Sequence, residues 1–253
     1  MKRLVLYIIS AVFILCSVCG AGVAYNENEP FGKANIQKRV ISYIGKWKEN
    51  EETYGDKVDF KCLKEINTDI CGWIYIPDTS VDYPILIGDT DEKYLYTDVE
   101  GNPSKLGSIF SFSDTDRTLK DARIILFGHN MKEYQMFGEL KRYIEDEEFR
   151  NNHKKIYIYA EDKIMELEVF SIFICEETDS IFRDSTRLGS KEYKALLQEL
   201  ADRDQYFCTC QENMENGENR QSVSLVTCSG SVGTKQRLVV SAIAGKVYVG
   251  FCE

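Results

Sequence analysis

The chain has 253 residues, a formal net charge of −10 and an apolar share of 43%. An acidic balance with no basic stripe excludes a partner held through nucleic-acid phosphates. Beyond the first 24 residues, enough chain remains for one domain with its own core, or at most two small ones.

In chain order, Lys2 and Arg3 precede an apolar run from Leu4 to Ala24, broken only by small residues such as Ser10, Ser17 and Gly20. Its length suits the ~20 residues that cross a hydrocarbon core. The positive flank places the N-terminus inside and the rest outside. A cleaved leader competes with this reading, because Gly22-Val23-Ala24 offers a small-x-small site, but the run is long for a leader and favours a retained anchor. The expected organisation is an anchor over 1–24, a polar tether over 25–34 and a folded domain over 35–253. That makes a single-pass protein of the cell membrane with an extracellular domain.

Ile36, Val40, Tyr43, Ile44 and Trp47 set a helical face over Asn35 to Glu52, and Asp59 to Ile66 reads as a second short helix. Strands follow at Gly72–Ile76, Val81–Ile87, Gly107–Phe110 and Arg123–Phe127, the last a continuous apolar run suited to a buried strand. Met136 to Tyr143 reads as helix, and Lys155–Tyr159 with Ile164–Ile174 as a hairpin. Ser190 caps a helix running to about Asp202, and Ser222–Thr227, Arg237–Ala244 and Lys246–Phe251 read as strands. About eight strands with few helices between them favour a closed or nearly closed, antiparallel-rich barrel.

Chemistry concentrates at strand ends. Ser224-Leu225-Val226-Thr227 is an apolar strand ending on Cys228, and Ser229-Gly230-Ser231-Val232-Gly233 would leave that thiol accessible. Arg237 opens the next strand, where a cation favours thiolate or a developing oxyanion. Of the two histidines, His129 follows a buried strand and is the credible proton shuttle, whereas His153 sits in a polar turn. Seven cysteines remain beyond the anchor, an odd number that allows one free thiol and up to three disulfides, or a wholly reduced set. With no CxxC and two histidines, no metal site is expected, and no cofactor. The acidic run Glu176-Glu177-Thr178-Asp179 reads as a solvated turn.

These residues resemble the sortases, membrane-anchored cysteine transpeptidases of Gram-positive bacteria, and class B most closely. The resemblance rests on Leu225-Val226-Thr227-Cys228 with Arg237, and on Gly128-His129-Asn130-Met131 with Met136-Phe137-Gly138-Glu139-Leu140. It also rests on Gly72-Trp73-Ile74, Pro77-Asp78-Thr79, Asp82-Tyr83-Pro84 and Gly107-Ser108-Ile109-Phe110. The Ser-Gly-Ser-Val-Gly loop after Cys228 departs from the bulkier loop common in class B, which bears on substrate preference. The resemblance implies a mainly β fold with peripheral helices: an eight-stranded sortase-type barrel, N-terminal helices and a helix inserted before the cysteine strand. It implies Cys228 as nucleophile, His129 as acid and base, and Arg237 as the oxyanion partner. Asn130, Thr227, Ser229, Ile181 and Phe182 become candidate substrate-binding residues. The implied partners are secreted proteins with an Asn-Pro-x-Thr-like sorting signal, a peptidoglycan precursor or other amine acceptor, and the membrane through the N-terminal segment. Three other readings stand beside this one: a pilin-crosslinking sortase, a peptidase that only hydrolyses, and a non-catalytic surface module with Cys228 in a disulfide.

Overall fold

The computed structural model describes residues 58–183, 186–206, 217–229 and 234–249. The expected anchor, tether and first helix lie outside them, as do Cys208, Cys210 and Cys252. Helix α1 (Phe60–Ile66) starts where the Asp59 side chain accepts from Cys62 N at 3.0 Å, a capping interaction. Strands β1 (Ile70–Tyr75), β2 (Asp82–Ile87), β3 (Ile109–Ser111) and β4 (Arg123–Phe127) follow. A 3₁₀ turn (Gly138–Lys141) and two short helices, α2 (Arg142–Glu145) and α3 (Glu147–Asn152), lead to β5 (Lys155–Tyr159) and β6 (Lys163–Glu176). Helix α4 (Lys191–Asp202) separates β6 from β7 (Ser222–Cys228) and β8 (Gln236–Val249).

The eight strands close into a barrel in the order β1-β2-β3-β4-β7-β8-β6-β5. Closure removes exposed sheet edges. The neighbours are antiparallel except for β2–β3 and β4–β7, which run parallel. The second of these pairs joins segments about a hundred residues apart and brings the end of β4 to the end of β7.

Period-two alternation sorts the strand residues into two apolar layers. Ile124, Leu126, Val223, Leu225, Leu238 and Val240 belong to one cluster, which fills the barrel. Ile125, Phe127, Val226, Val239 and Phe173 belong to the other, which also takes Tyr193, Leu196, Leu197 and Leu200 of α4. A helix can only cover the outside of a closed barrel, so this second face is external. Residue parity then puts Cys228, Arg237 and Cys175 on that same external face, with α4 packed beside them.

Two expectations need correcting. The helix expected over 136–143 starts two residues late, at Gly138, as a 3₁₀ turn that runs into α2; Glu133, Tyr134 and Met136 take left-handed φ of 56°, 57° and 53°, which turns the chain tightly just before it. The strand expected over Lys246–Phe251 is not separate as far as Val249, since β8 runs from Gln236 to Val249; residues 250 and 251 lie outside the described residues. The helix expected from Ser190 is present, with Ser190 Oγ accepting from Tyr193 N at 3.0 Å. Ser190→Ala is expected to lower unfolding stability by about 1 kcal/mol. A shifted denaturant midpoint with unchanged slope would show it.

Candidate active site

Three strand ends build the site. Gly128 N donates to Val226 O at 3.2 Å and carries the parallel β4–β7 ladder one residue further. A side chain at Gly128 would press within 2.5 Å of Ile109 Cδ1 and 2.7 Å of Phe137 Cδ2, so only glycine passes there. The next residue, His129, therefore emerges beside Cys228. The Asn130 amide fixes the approach by donating to Cys228 O at 2.8 Å. Past it the chain folds back, with Phe137 N donating to His129 O at 3.0 Å.

On the other side, Cys228 pairs with Arg237 of β8. Ser229 N donates to Gln236 O at 3.0 Å, which makes that pair the hydrogen-bonded one. Cys228 and Arg237 thus form the adjacent non-hydrogen-bonded pair, where facing side chains come closest. Cys228 is half-buried. Continuing the β4–β7 register by two residues gives, across one face, the order His129, Cys228, Arg237 and Cys175, the last paired with Arg237 from β6.

The imidazole has a defined tautomer. His129 Nε2 lies 2.7 Å from Leu95 O, and a carbonyl can only accept, so Nε2 carries the proton and Nδ1 keeps its lone pair. Burial holds the His129 pKa below the ordinary histidine value; the nearby Arg237 charge pushes the same way, and the Leu95 contact opposes both. The Tyr96 ring lies over it at 5.6 Å, tilted by 35°. The segment carrying Leu95 is pinned in turn: the Tyr94 hydroxyl donates to Asp69 at 2.8 Å, and Asp69 also accepts from Arg117 at 2.6 Å.

Arg237 is only 2% exposed and donates from Nη2 to Glu177 Oε2 at 2.6 Å. Its Nη1 donates to Thr234 O and Gln236 O, each at 2.9 Å. Glu177 is 4% exposed, which corrects the expectation of a solvated acidic turn at 176–179. In the same turn Asp179 accepts from Ile181 N at 3.1 Å and pairs with Arg203 at 2.7 Å.

Of the other candidates, Ser229 is half-buried beside Cys228. Thr227 is buried on the opposite face, with Leu225, and its hydroxyl has no hydrogen-bond partner among the described residues. Ile181 and Phe182 pack into the outer apolar cluster with Tyr193, and Arg123 Nη1 donates to Ile181 O at 2.6 Å. His153 stacks on Phe149 with ring centroids 3.9 Å apart, away from this site. Leu95, Tyr96 and Glu177 escaped sequence reasoning: a backbone carbonyl leaves no residue signature, and an acid in an acidic run reads as surface. Among the described residues no group of histidine, cysteine and acidic side chains could hold a metal.

A sequence model described as a sortase domain matches residues 74–244. This chain belongs to the sortase family. It is 30% identical over 194 residues to sortase B of Staphylococcus aureus, covering 74% of this chain and 75% of that protein. It is 26% identical over 170 residues to sortase B of Listeria monocytogenes, covering 67% of each. Sortase B of Bacillus anthracis superposes with a TM-score of 0.68 at 29% identity, over 83% of this chain and 94% of that one. A Staphylococcus aureus sortase B–substrate complex gives 0.63 at 27%, over 75% and 84%. The chain is therefore a class B sortase, and its enzymatic class is cysteine transpeptidase. The eight-stranded barrel with few helices is the sortase B architecture.

Proposed function

We propose that this sortase uses Cys228, His129 and Arg237 to cut an Asn-Pro-x-Thr-like sorting signal on secreted proteins and join the acyl fragment to a cell-wall amine. The observation carrying this reading is the placement of Cys228 between His129 and Arg237 on the outer face of the barrel. His129 Nδ1 takes the thiol proton as Cys228 Sγ bonds to the threonine carbonyl carbon, and the resulting oxyanion is met by Arg237. The C–N bond then breaks, and the departing amine takes a proton from the His129 imidazolium. In the second half an amine nitrogen attacks the thioester, the C–S bond breaks, and His129 Nδ1 takes the surplus proton. Asn130 holds the backbone of the nucleophile through its contact with Cys228 O. Ser229 borders the substrate, Ile181 and Phe182 shape the floor from the outer apolar cluster, and Thr227 supports the nucleophile's strand from inside the barrel.

The apolar run over 4–24 supports a membrane anchor that keeps this chemistry outside the cell. Among the described residues no helix is long and apolar enough to cross a membrane.

The test offers the full chain, in detergent micelles, a library of quenched pentapeptides with and without oligoglycine. Cleavage of Asn-Pro-x-Thr-like peptides, a ligated product only with the amine, and an acyl adduct mapped to Cys228 by mass are expected. Cleavage that ignores the amine would mean a hydrolytic peptidase, and preference for a lysine side chain would mean pilin crosslinking. Neither cleavage nor adduct would end the reading.

A further inference from the structure

Arg237 carries a full positive charge into a place that is 2% exposed, and such a charge needs a compensating anion. Glu177 supplies it at 2.6 Å, from a position just past the end of β6 where Glu177 N donates to Lys235 O at 2.8 Å. The nearby Asp179 is engaged with Arg203 at 2.7 Å. The guanidinium is thereby oriented by one carboxylate and two backbone carbonyls, next to Cys228 and within electrostatic reach of His129.

We propose that Glu177 is a positioning residue of the catalytic site: its carboxylate fixes the Arg237 guanidinium and cancels its charge, so it sets the pH at which the Cys228–His129 pair becomes reactive. This rests on the assignment of Cys228, His129 and Arg237 given above. Among the described residues, the nearby groups do not supply a second carboxylate at this distance. Cys175, opposite it on β6, has its thiol pushed up to about 12 by burial and stays neutral. Cys228 and His129 are the groups being set. Arg123, on β4 behind Ile181, and Arg203 add positive charge only.

Removing the carboxylate charge while keeping its shape takes from Arg237 the anion that lies 2.6 Å away. A cation beside a thiol favours the thiolate more strongly when less of its charge is offset, so the reactive form should appear at lower pH. The experiment follows alkylation of Cys228 by iodoacetamide against pH in the full chain, quantified by mass on the peptide that carries Cys228, which separates it from other thiols. For Glu177→Gln the midpoint should fall by about one unit relative to the native chain. In an Arg237→Gln background the same change should shift nothing, because Glu177 acts through Arg237. Glu177→Asp keeps the charge, so its midpoint should stay near the native one while kcat for peptide cleavage falls with little change in KM.

An unshifted midpoint in Glu177→Gln, or an equal shift with and without Arg237, would overturn the proposal. If Glu177→Gln does not fold, as circular dichroism would show, a shifted midpoint in Glu177→Asp overturns it instead. Alkylation requires no peptide substrate. Failure of the transpeptidase assignment would therefore appear as absent peptide turnover, separately from the midpoints.

Discussion

Cys228→Ala is expected to abolish turnover while the barrel stays folded. The thiol sits at the end of β7, half-buried, so losing one sulfur atom changes stability by no more than about 1 kcal/mol. Catalysis is another matter, because without Sγ no covalent intermediate forms. Removing the nucleophile of a unit that acts together lowers kcat by on the order of 10⁴-fold or more. Cys228→Ser should do little better, since an alcohol is a weak nucleophile unless a base removes its proton as it attacks. Peptide cleavage measured beside thermal melts separates the two effects. Retained cleavage in the folded alanine variant would remove Cys228 from the chemistry.

The His129 variants should lose less rate and show a distinct pH signature. His129→Ala removes the group that protonates the leaving amine and deprotonates the incoming one, a change of about 10²–10⁴-fold in kcat/KM. In the native chain the acylated enzyme needs neutral His129 to accept the amine's proton. Burial holds its pKa below 6.5, so the acid limb of ligation should fall below that value. Stability has a matching sign. A histidine depressed in the folded state binds its proton more readily when unfolded. Its contribution is complete above 6.5 and is lost as pH falls through the lower folded value. His129→Gln should flatten that acid slope of stability and remove the acid limb of ligation, both readable from denaturation and rate profiles between pH 5 and 8. An acid slope equal to the native one would assign the titration to another group.

How much of this was legible in the sequence depends on the range of the interaction. Alternating or continuous apolar runs gave the strands, because the pleat repeats every two residues regardless of neighbours. The Ser190 cap and the helix behind it were legible for the same reason: the stabilising contact spans three residues. The late start of the helix expected from Met136 came from backbone conformation. Gly138 lies against Met131, where a side chain would come within 2.1 Å of the carbonyl oxygen, and the tight turn keeps Met136 and Phe137 out of the helix that Gly138 opens.

By itself the sequence determined which residues could do chemistry: a cysteine and an arginine at strand ends near the C-terminus, and a histidine after a buried strand. It also determined that these ends belong to a β-rich fold, since strand pattern and turn chemistry are written locally. Only the tertiary structure decided which ends meet. Apolar periodicity tells which face a residue takes but not which strand lies beside it, so the parallel β4–β7 pairing that sets His129 next to Cys228 had no local signal. The Leu95 carbonyl, 34 residues from His129, fixes the imidazole tautomer, and Glu177, 60 residues from Arg237, neutralises it. Both depend on burial, which raises the cost of an unmet charge or donor and makes the partner decisive, and burial exists only once the barrel has closed.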